Sequence, residues 1–345
     1  MTLQKLHHEY HKKYCIMKDI LNHLFQHQVL SRNDSKSVLL NLARGEYNRS
    51  QMVAFLTVFQ LRNITVQELQ GFRDALLELC IILDFSGLNC VDLCGTGGDG
   101  KNTFNISTLA SFIVAGAGEK VTKHGNYGVS STCGSSNILE YFGYKFTTSR
   151  DELLKELETA GICFLHAPMF NPAMKSIAPI RKELSLKTFF NMLGPMVNPA
   201  SPANQLIGVF NLELARIYNY IYQQSDKSYA IVHSLDGYDE ISLTGEYKLQ
   251  TNSTDSILTP DYFGFKKVDS NAILGGKTIA DSAKIFQKIL RGEGSDEQND
   301  VVIVNAGVAL KTIHLEKSYE ECFNIARESL QGGNALLSFT RLISK

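Results

Sequence analysis

The sequence has 345 residues, of which 44% are hydrophobic and 20% are charged, a composition typical of folded globular proteins with one or two domains. Its 34 basic and 35 acidic residues give a net charge of −1, so no overall positive field favours nucleic acid, and any phosphate must be bound by local features. The seven cysteines are scattered and contain no C-x-x-C, so we expect neither disulfides nor a zinc site. No apolar run is long enough for a signal peptide or a membrane span, so we expect a cytoplasmic protein without a membrane anchor.

The first part of the chain has the pattern of a small helical domain. From residue 17 to residue 84, apolar residues recur at helical spacing, and glycine and proline are nearly absent. Ser31 is expected to cap one helix, and Thr65 with Glu68 to form a capping box at the start of another. Residues 1–16 precede this pattern and are predicted to be an extension of the domain.

From about residue 85, short β-type runs alternate with helical stretches, which is typical of parallel α/β structure. Four runs are predicted as strands, at residues 91–93, 162–165, 229–232 and 301–304. The predicted fold class is therefore α/β, with a large domain built on a mainly parallel central sheet and a small all-helical domain.

The most informative segment directly follows the first predicted strand. Residues 95–108 read Gly-Thr-Gly-Gly-Asp-Gly-Lys-Asn-Thr-Phe-Asn-Ile-Ser-Thr, with four glycines among the first six residues. Glycines allow backbone N–H groups to surround phosphate oxygens closely. A helix predicted to begin near Ser107 adds free N–H groups and a partial positive charge. Two such features side by side suit a ligand that is phosphorylated at two ends.

Two other interpretations of this loop have less support. The string matches the G-x-G-x-x-G of dinucleotide-binding loops, but in those loops the helix begins within the glycines and a carboxylate follows about twenty residues later. Here the helix begins later, and the corresponding region holds Lys120 to His124. A tight turn without a ligand does not require so many glycines.

A second loop of the same kind follows the next predicted strand. Residues 123–137 read Lys-His-Gly-Asn-Tyr-Gly-Val-Ser-Ser-Thr-Cys-Gly-Ser-Ser-Asn and precede another helix. Lys123 offers a positive charge for a phosphate, and Ser130, Ser131 and Ser135 offer hydroxyl groups. Because parallel strands end at the same edge of a sheet, both loops should converge there.

Three charged residues further along the chain have possible roles in binding. Asp239 and Glu240 follow the strand predicted at 229–232 and offer the oxygen ligands that Mg²⁺ prefers, although such pairs are usually solvated. Arg181 could present a planar fork to a carboxylate, and a surface ion pair on a helix is an equally good interpretation.

At these residues the sequence resembles the anthranilate phosphoribosyltransferase family, whose pattern has G-T-G-G-D-G, N-x-S-T, K-H-G-N-R and G-S-A-D in this order. The resemblance spans roughly residue 17 to the C-terminus with order and spacing kept, and it continues through residues 171–175, 181–184, 190–195 and 239–240. It implies transfer of the 5-phosphoribosyl group from phosphoribosyl pyrophosphate to the amino group of anthranilate, in tryptophan biosynthesis, with Mg²⁺ as cofactor.

The resemblance also implies roles for individual residues. Those that would hold phosphoribosyl pyrophosphate are Gly95, Gly98, Asp99, Thr103, Asn105, Ile106, Ser107, Thr108, Lys123, Ser130, Ser131 and Ser135. Those that would lie near anthranilate are Gly95, His124, Asn126 and Arg181. Two magnesium ions would be served by Ser107, Asp239 and Glu240. No general base is assigned, because an aromatic amine is mostly unprotonated at neutral pH, although His124 lies within the expected site.

The family further implies how the domains are assembled. Residues 17–84 would form the helical domain, completed by residues from about 172 to 200, and residues 85–171 with 201–345 would form the phosphoribosyl-binding α/β domain. A homodimer through the helical domain is expected, with neither nucleic acid nor membrane as a partner.

Three positions depart from the family pattern. Tyr127 stands where arginine usually follows K-H-G-N, Asn137 replaces the aspartate of G-S-A-D, and Asn171 replaces a histidine. These changes leave the acceptor less secure than the donor, so transfer to another aromatic acceptor stays an alternative. A nucleoside phosphorylase of the same fold would need no acid pair, and a silent nucleic-acid-binding relative is disfavoured by the near-zero charge.

Overall fold

The computed structural model describes residues 17–128 and 131–344, and these form two compact units. One unit comprises the described chain up to Ile82 together with Asn171–Val197. The other comprises Leu83–Phe170 and the chain from Asn198 onward. The extension predicted at residues 1–16 lies outside the described residues.

The secondary structure of the described residues is as follows. The α-helices are α1 (Met17–Phe25), α2 (Arg32–Ala43), α3 (Arg49–Leu61), α4 (Val66–Leu79), α5 (Ile106–Gly116), α6 (Ser135–Tyr141), α7 (Arg150–Ala160), α8 (Ala167–Phe170), α9 (Ala178–Leu184), α10 (Leu212–Tyr222), α11 (Ile279–Leu290), α12 (Asp296–Ile313), α13 (Tyr319–Gln331) and α14 (Asn334–Ile343). The strands are β1 (Cys90–Gly95), β2 (Lys120–Gly125), β3 (Ile162–His166), β4 (Asn204–Gly208), β5 (Ser228–Ser234), β6 (Tyr247–Thr251) and β7 (Asp255–Leu258). Short 3₁₀ helices lie at Pro172–Ser176, Phe189–Met192, Gly194–Val197, Pro260–Phe263 and Ser270–Ile273.

The first unit is helical, as the periodicity of its sequence predicts. Ser31 caps α2 by accepting a hydrogen bond from the backbone N–H of Asp34, and Thr65 with Glu68 forms the expected capping box of α4. The segment that returns from mid-chain belongs to this unit, because the ring of Phe189 stacks on Phe72 with centroids 4.3 Å apart.

The second unit is built on a seven-stranded sheet in the order β3-β2-β1-β4-β5-β6-β7. The first five of these strands are parallel, and β6 and β7 are antiparallel. The predicted fold class, α/β with a mainly parallel sheet and a small helical domain, is confirmed. The parallel strands end at one edge of the sheet, where β1, β2 and β4 finish with Gly95, Gly125 and Gly208.

One predicted strand is wrong. Val301–Val304 lies inside α12, which packs against α5 and α13 and against the sheet at β4 and β5. A helix that is surrounded in this way is apolar on all sides, so its sequence lacks the polar face that would distinguish it from a buried strand.

Among the described residues, no helix combines the length and the apolar character that crossing a bilayer requires.

Candidate active site

The glycine loop leaves β1 in a backbone conformation that other residues rarely adopt. Gly97, Gly98 and Gly100 have φ angles of +62°, +75° and +76°. Glycine has no Cβ to clash in this region, so the loop can turn tightly at the edge of the sheet. The side chain of Asp99 lies inside the loop and accepts a hydrogen bond from the backbone N–H of Lys101 at 3.0 Å.

The predicted acid pair lies directly on this loop. Oδ2 of Asp239 accepts a hydrogen bond of 2.7 Å from the backbone N–H of Gly97. A Cβ on Gly95 would lie 2.5 Å from the same Oδ2, and a Cβ on Gly208 would collide with the carbonyl oxygen of Asp239. The ends of β1 and β4 are therefore glycines where the acid-bearing loop approaches them closely.

Glu240 lies beside the start of α5. The backbone N–H of Ser107, in the first turn of that helix, partly offsets the rise in the pKa of its carboxyl group. A carboxylate is well placed there because the N-terminus of a helix carries partial positive charge. An acid of the chain itself thus lies next to the helix start that the sequence predicts as a phosphate site.

The carboxyl groups of Asp99, Asp239 and Glu240 perturb one another. Burial, followed by repulsion from Asp99, raises the pKa of Asp239 to about 7. Burial and repulsion from Asp239 raise the pKa of Glu240 well above its usual value, while Lys123 acts in the opposite direction. Burial also raises the pKa of Asp99. Repulsion among these neighbouring acids disfavours their simultaneous ionisation, and nearby positive charge would reduce that repulsion.

Lys123 is almost fully buried, with 2% of its surface exposed. Its Nζ donates a hydrogen bond of 2.6 Å to the carbonyl oxygen of Leu93 and lies 3.5 Å from Oγ of Ser107. The ammonium group therefore lies next to the start of α5, where the sequence predicts a phosphate site.

The second loop is fixed to the first by side-chain amides. Nδ2 of Asn105 donates a hydrogen bond of 2.9 Å to the carbonyl oxygen of Cys133. Oδ1 of Asn137 accepts hydrogen bonds of 3.0 Å from the backbone N–H groups of both Gly128 and Gly134. An amide oxygen can accept these bonds as an aspartate oxygen would, so Asn137 preserves the loop despite its departure from the family pattern.

The remaining predicted donor residues are distributed around these two loops. Ile106 and Thr108 are each 1% exposed, so their side chains belong to the core and only their backbone can face a ligand. Ser135 begins α6, and its Oγ donates a hydrogen bond of 3.3 Å to the carbonyl oxygen of Asn126. Thr103 forms an isolated β-bridge, and Ser131 is partly buried. Ser130 lies outside the described residues.

The predicted acceptor residues fall into two groups. His124 and Asn126 lie in the α/β unit, where His124 is buried at the end of β2 and Asn126 is exposed. Oδ1 of Asn126 accepts a hydrogen bond of 2.8 Å from the backbone N–H of Tyr127. Arg181 lies in the helical unit, on α9.

Arg181 does not form the surface ion pair that its sequence context also allowed. Its guanidinium group lies over the ring of Phe190, 5.0 Å from the centroid, and Nη2 lies 3.4 Å from Oδ1 of Asn191. No carboxylate of the described residues pairs with it, and burial lowers its pKa. A partly buried guanidinium without an acidic partner can bind the carboxylate of a ligand.

Sequence reasoning missed a buried polar group beneath the site. Asp92 is fully buried on β1 and accepts hydrogen bonds from the backbone N–H of His124 at 3.1 Å and from Nδ2 of Asn198 at 2.8 Å. Nδ2 of Asn198 also donates to the carbonyl oxygen of Thr122 at 2.8 Å. Burial raises the pKa of Asp92 to about 6. An acidic residue between the apolar Val91 and Leu93 was the available signal.

The metal-binding capacity of the site comes from few protein ligands. Within the described ranges, no group of three or more histidine, cysteine, aspartate and glutamate residues is arranged to hold a metal ion. Mg²⁺ typically takes one or two carboxylates and keeps water and substrate oxygens as its other ligands. The pair Asp239 and Glu240 fits that requirement.

Both the helical part and the α/β part of the chain match models of known protein families. Residues 87–336 match the family described as "Glycosyl transferase family, a/b domain". Residues 18–80 match "Glycosyl transferase family, helical bundle domain".

Similar proteins cover nearly the whole chain. An anthranilate phosphoribosyltransferase of Flavobacterium johnsoniae is 57% identical over 326 residues, which are 94% of this chain and 98% of the relative. The structure of the Saccharomyces cerevisiae enzyme in complex with phosphoribosyl pyrophosphate and Mg aligns with a TM-score of 0.87 at 26% identity, covering 95% of this chain and 97% of that one. Its complex with 4-fluoroanthranilate aligns with a TM-score of 0.84 at 25% identity, covering 95% and 96%.

Proposed function

The chain belongs to the anthranilate phosphoribosyltransferase family, and from this premise we propose which of its residues carry the reaction. The reaction transfers the 5-phosphoribosyl group from phosphoribosyl pyrophosphate to the amino group of anthranilate, giving N-(5-phosphoribosyl)anthranilate and pyrophosphate in tryptophan biosynthesis. The observation that carries the assignment of residues is the hydrogen bond between Asp239 and the glycine loop, with Glu240 beside the start of α5.

The donor binds across the two loops at the carboxyl edge of the sheet. The glycine loop, from Gly95 through Gly98 and Asp99, offers backbone N–H groups to the pyrophosphate. The start of α5 and the ammonium group of Lys123 offer N–H groups and positive charge to a phosphate, and Ser135 adds a hydroxyl group. Support comes from the convergence of these groups with Asn105, which joins the two loops.

Asp239 and Glu240 are the proposed ligands of magnesium, with Ser107 beside them and two ions in each site. Bound magnesium supplies positive charge that stabilises the leaving pyrophosphate. Burial, followed by repulsion from Asp239, raises the pKa of Glu240, which supports this assignment because the repulsion reflects how close the two acids lie to each other. The backbone N–H of Gly97 holds the Asp239 carboxylate in place, and Glu240 lies near the backbone N–H of Ser107.

Anthranilate is held by Gly95, His124, Asn126 and Arg181. The planar guanidinium of Arg181 suits two parallel hydrogen bonds to the carboxylate of the acceptor. The aromatic amine is unprotonated at neutral pH and needs no strong base, so orientation of the amine toward the anomeric carbon contributes much of the rate. Oxocarbenium character at that carbon, as in glycoside cleavage, makes the geometry of both substrates decisive.

Three further assignments belong to the same proposal. A homodimer forms through the helical unit, where an apolar groove contains Val53 and Val58 and is flanked by Phe25 and Leu61, which are 57% and 79% exposed. The two compact units correspond to the helical and phosphoribosyl-binding domains. The protein is assigned to the cytoplasm, where thiols stay reduced, because the six described cysteines form no disulfide.

Identification of the product tests this function against its alternatives. The purified protein is incubated with phosphoribosyl pyrophosphate, Mg²⁺ and one acceptor at a time, and the products are identified by mass spectrometry. We expect the phosphoribosyl adduct with anthranilate and a smaller yield with other aromatic acids. A nucleoside phosphorylase would instead cleave a pyrimidine nucleoside with inorganic phosphate and without Mg²⁺, and that result would overturn the assignment.

A further inference from the structure

The imidazole of His166 lies at the carboxyl end of β3, beside the second loop. In the parallel register, His166 is opposite Gly125, the last residue of β2. Its side chain is buried, and Nδ1 lies 2.8 Å from Oγ of Ser136. The ring stacks on Phe146, with centroids 4.3 Å apart and an angle of 14° between the planes. These two contacts fix both the position and the orientation of the imidazole.

The ring of Tyr127 rests against the same imidazole from the loop side. Its centroid lies 4.9 Å from that of His166, with an edge-to-face angle of 76°. The tyrosine is 40% exposed, and its hydroxyl group lies 3.4 Å from Oε1 of Glu140. The tyrosine side chain is therefore in contact with both the imidazole and the carboxylate of Glu140.

Two of the three contacts of His166, those with Ser136 and Tyr127, involve residues that lie next to assigned substrate-binding residues. Ser136 follows Ser135, which is assigned to the donor, and Tyr127 follows Asn126, which is assigned to the acceptor. We propose that His166 is a positioning residue for the transfer reaction, which holds the donor end and the acceptor end of the second loop in a fixed relation. This inference rests on the proposed function, because that function gives Ser135 and Asn126 their roles.

Two variants remove the same hydrogen bond from opposite sides. His166→Phe keeps a ring that can stack on Phe146 but loses Nδ1, and Ser136→Ala loses only the hydroxyl group. In each variant we expect the KM values for both substrates to rise about five- to tenfold, the change in an equilibrium constant that one side-chain hydrogen bond accounts for. The double variant should be no worse than the more affected single variant, because both remove one shared contact.

A matched control separates positioning from general stability. His314→Phe removes a histidine contact of 2.9 Å with Glu119, which lies just before the amino end of β2 and thus away from the loops. This control should leave both KM values unchanged. If His166→Phe and Ser136→Ala lower only the melting temperature and keep KM values like those of the control, His166 has a merely structural role and the proposal is wrong.

Two outcomes of the experiment need a second readout. If His166→Phe does not fold, Ser136→Ala decides the question by the same KM criterion. If the wild type itself shows no turnover, the proposed function has failed; binding of phosphoribosyl pyrophosphate with Mg²⁺ is then measured by calorimetry. In that case, weaker binding in Ser136→Ala than in His314→Phe supports the positioning role, and equal binding overturns it.

Discussion

Gly95→Ala tests whether the close approach of Asp239 to the glycine loop is needed for activity. Gly95 does not have a positive φ, so its backbone conformation is open to alanine and the cost comes from contact alone. The added Cβ would lie 2.5 Å from Oδ2 of Asp239, whereas nonbonded heavy atoms prefer about 3.5 Å or more, so the carboxylate must move by about 1 Å. A displacement of that size in a positioned group lowers activity by about a hundredfold.

The assay compares Gly95→Ala with a glycine variant that introduces no contact. A Cβ on Gly87 has no heavy atom within 4 Å, so Gly87→Ala is the matched control. The value of kcat/KM is measured with phosphoribosyl pyrophosphate varied at saturating anthranilate and Mg²⁺, and thermal denaturation checks that both variants fold. If folded Gly95→Ala is as active as Gly87→Ala, the position of the Asp239 carboxylate does not matter and the reasoning is refuted.

Three other predictions follow from the same geometry. Arg181→Lys should raise the KM for anthranilate about tenfold or more, because an ammonium group lacks the planar fork of a guanidinium group. The KM for the donor should stay unchanged in steady-state kinetics. The control Lys182→Arg, at an exposed neighbouring residue, should change neither KM. Because the pKa of Asp92 is raised in the folded protein, the contribution of this residue to the free energy of unfolding is largest below pH 3.8. That contribution is lost as the pH rises through about 6. In urea unfolding, Asp92→Asn should therefore gain about 2 kcal/mol relative to the wild type between about pH 4.5 and pH 7, and a constant difference would contradict this. Leu61→Glu should shift sedimentation from dimer to monomer, whereas Leu315→Glu, on an exposed leucine of the α/β unit, should not.

Features fixed by short stretches of sequence were predictable. The capping box of Thr65 and Glu68 depends on two residues three positions apart. The glycine loop could be predicted from the run of glycines that directly follows the first predicted strand. Long-range contacts were not predictable in this way. The bond between Asp239 and Gly97 joins residues 142 positions apart, and the need for glycine at Gly208 is set entirely by the carbonyl oxygen of Asp239.

The errors and omissions also have physical reasons. Val301–Val304 was predicted as a strand because a helix enclosed on all sides leaves no polar periodicity in its sequence. Asp92 was passed over because its role depends on Asn198, which comes from a distant part of the chain. Asn137 looked like a weakness of the site, but its amide oxygen accepts the two loop hydrogen bonds that an aspartate could accept.

The central claim is that Asp239 and Glu240 serve magnesium in transfer of the phosphoribosyl group to anthranilate. The most direct measurement follows the loss of anthranilate fluorescence when purified protein is mixed with phosphoribosyl pyrophosphate, anthranilate and Mg²⁺. A parallel reaction lacks metal, and another contains the Asp239→Asn/Glu240→Gln variant. We predict a loss of fluorescence that needs the metal and disappears in the folded variant. Metal-independent loss, or full activity of the variant, would contradict the claim.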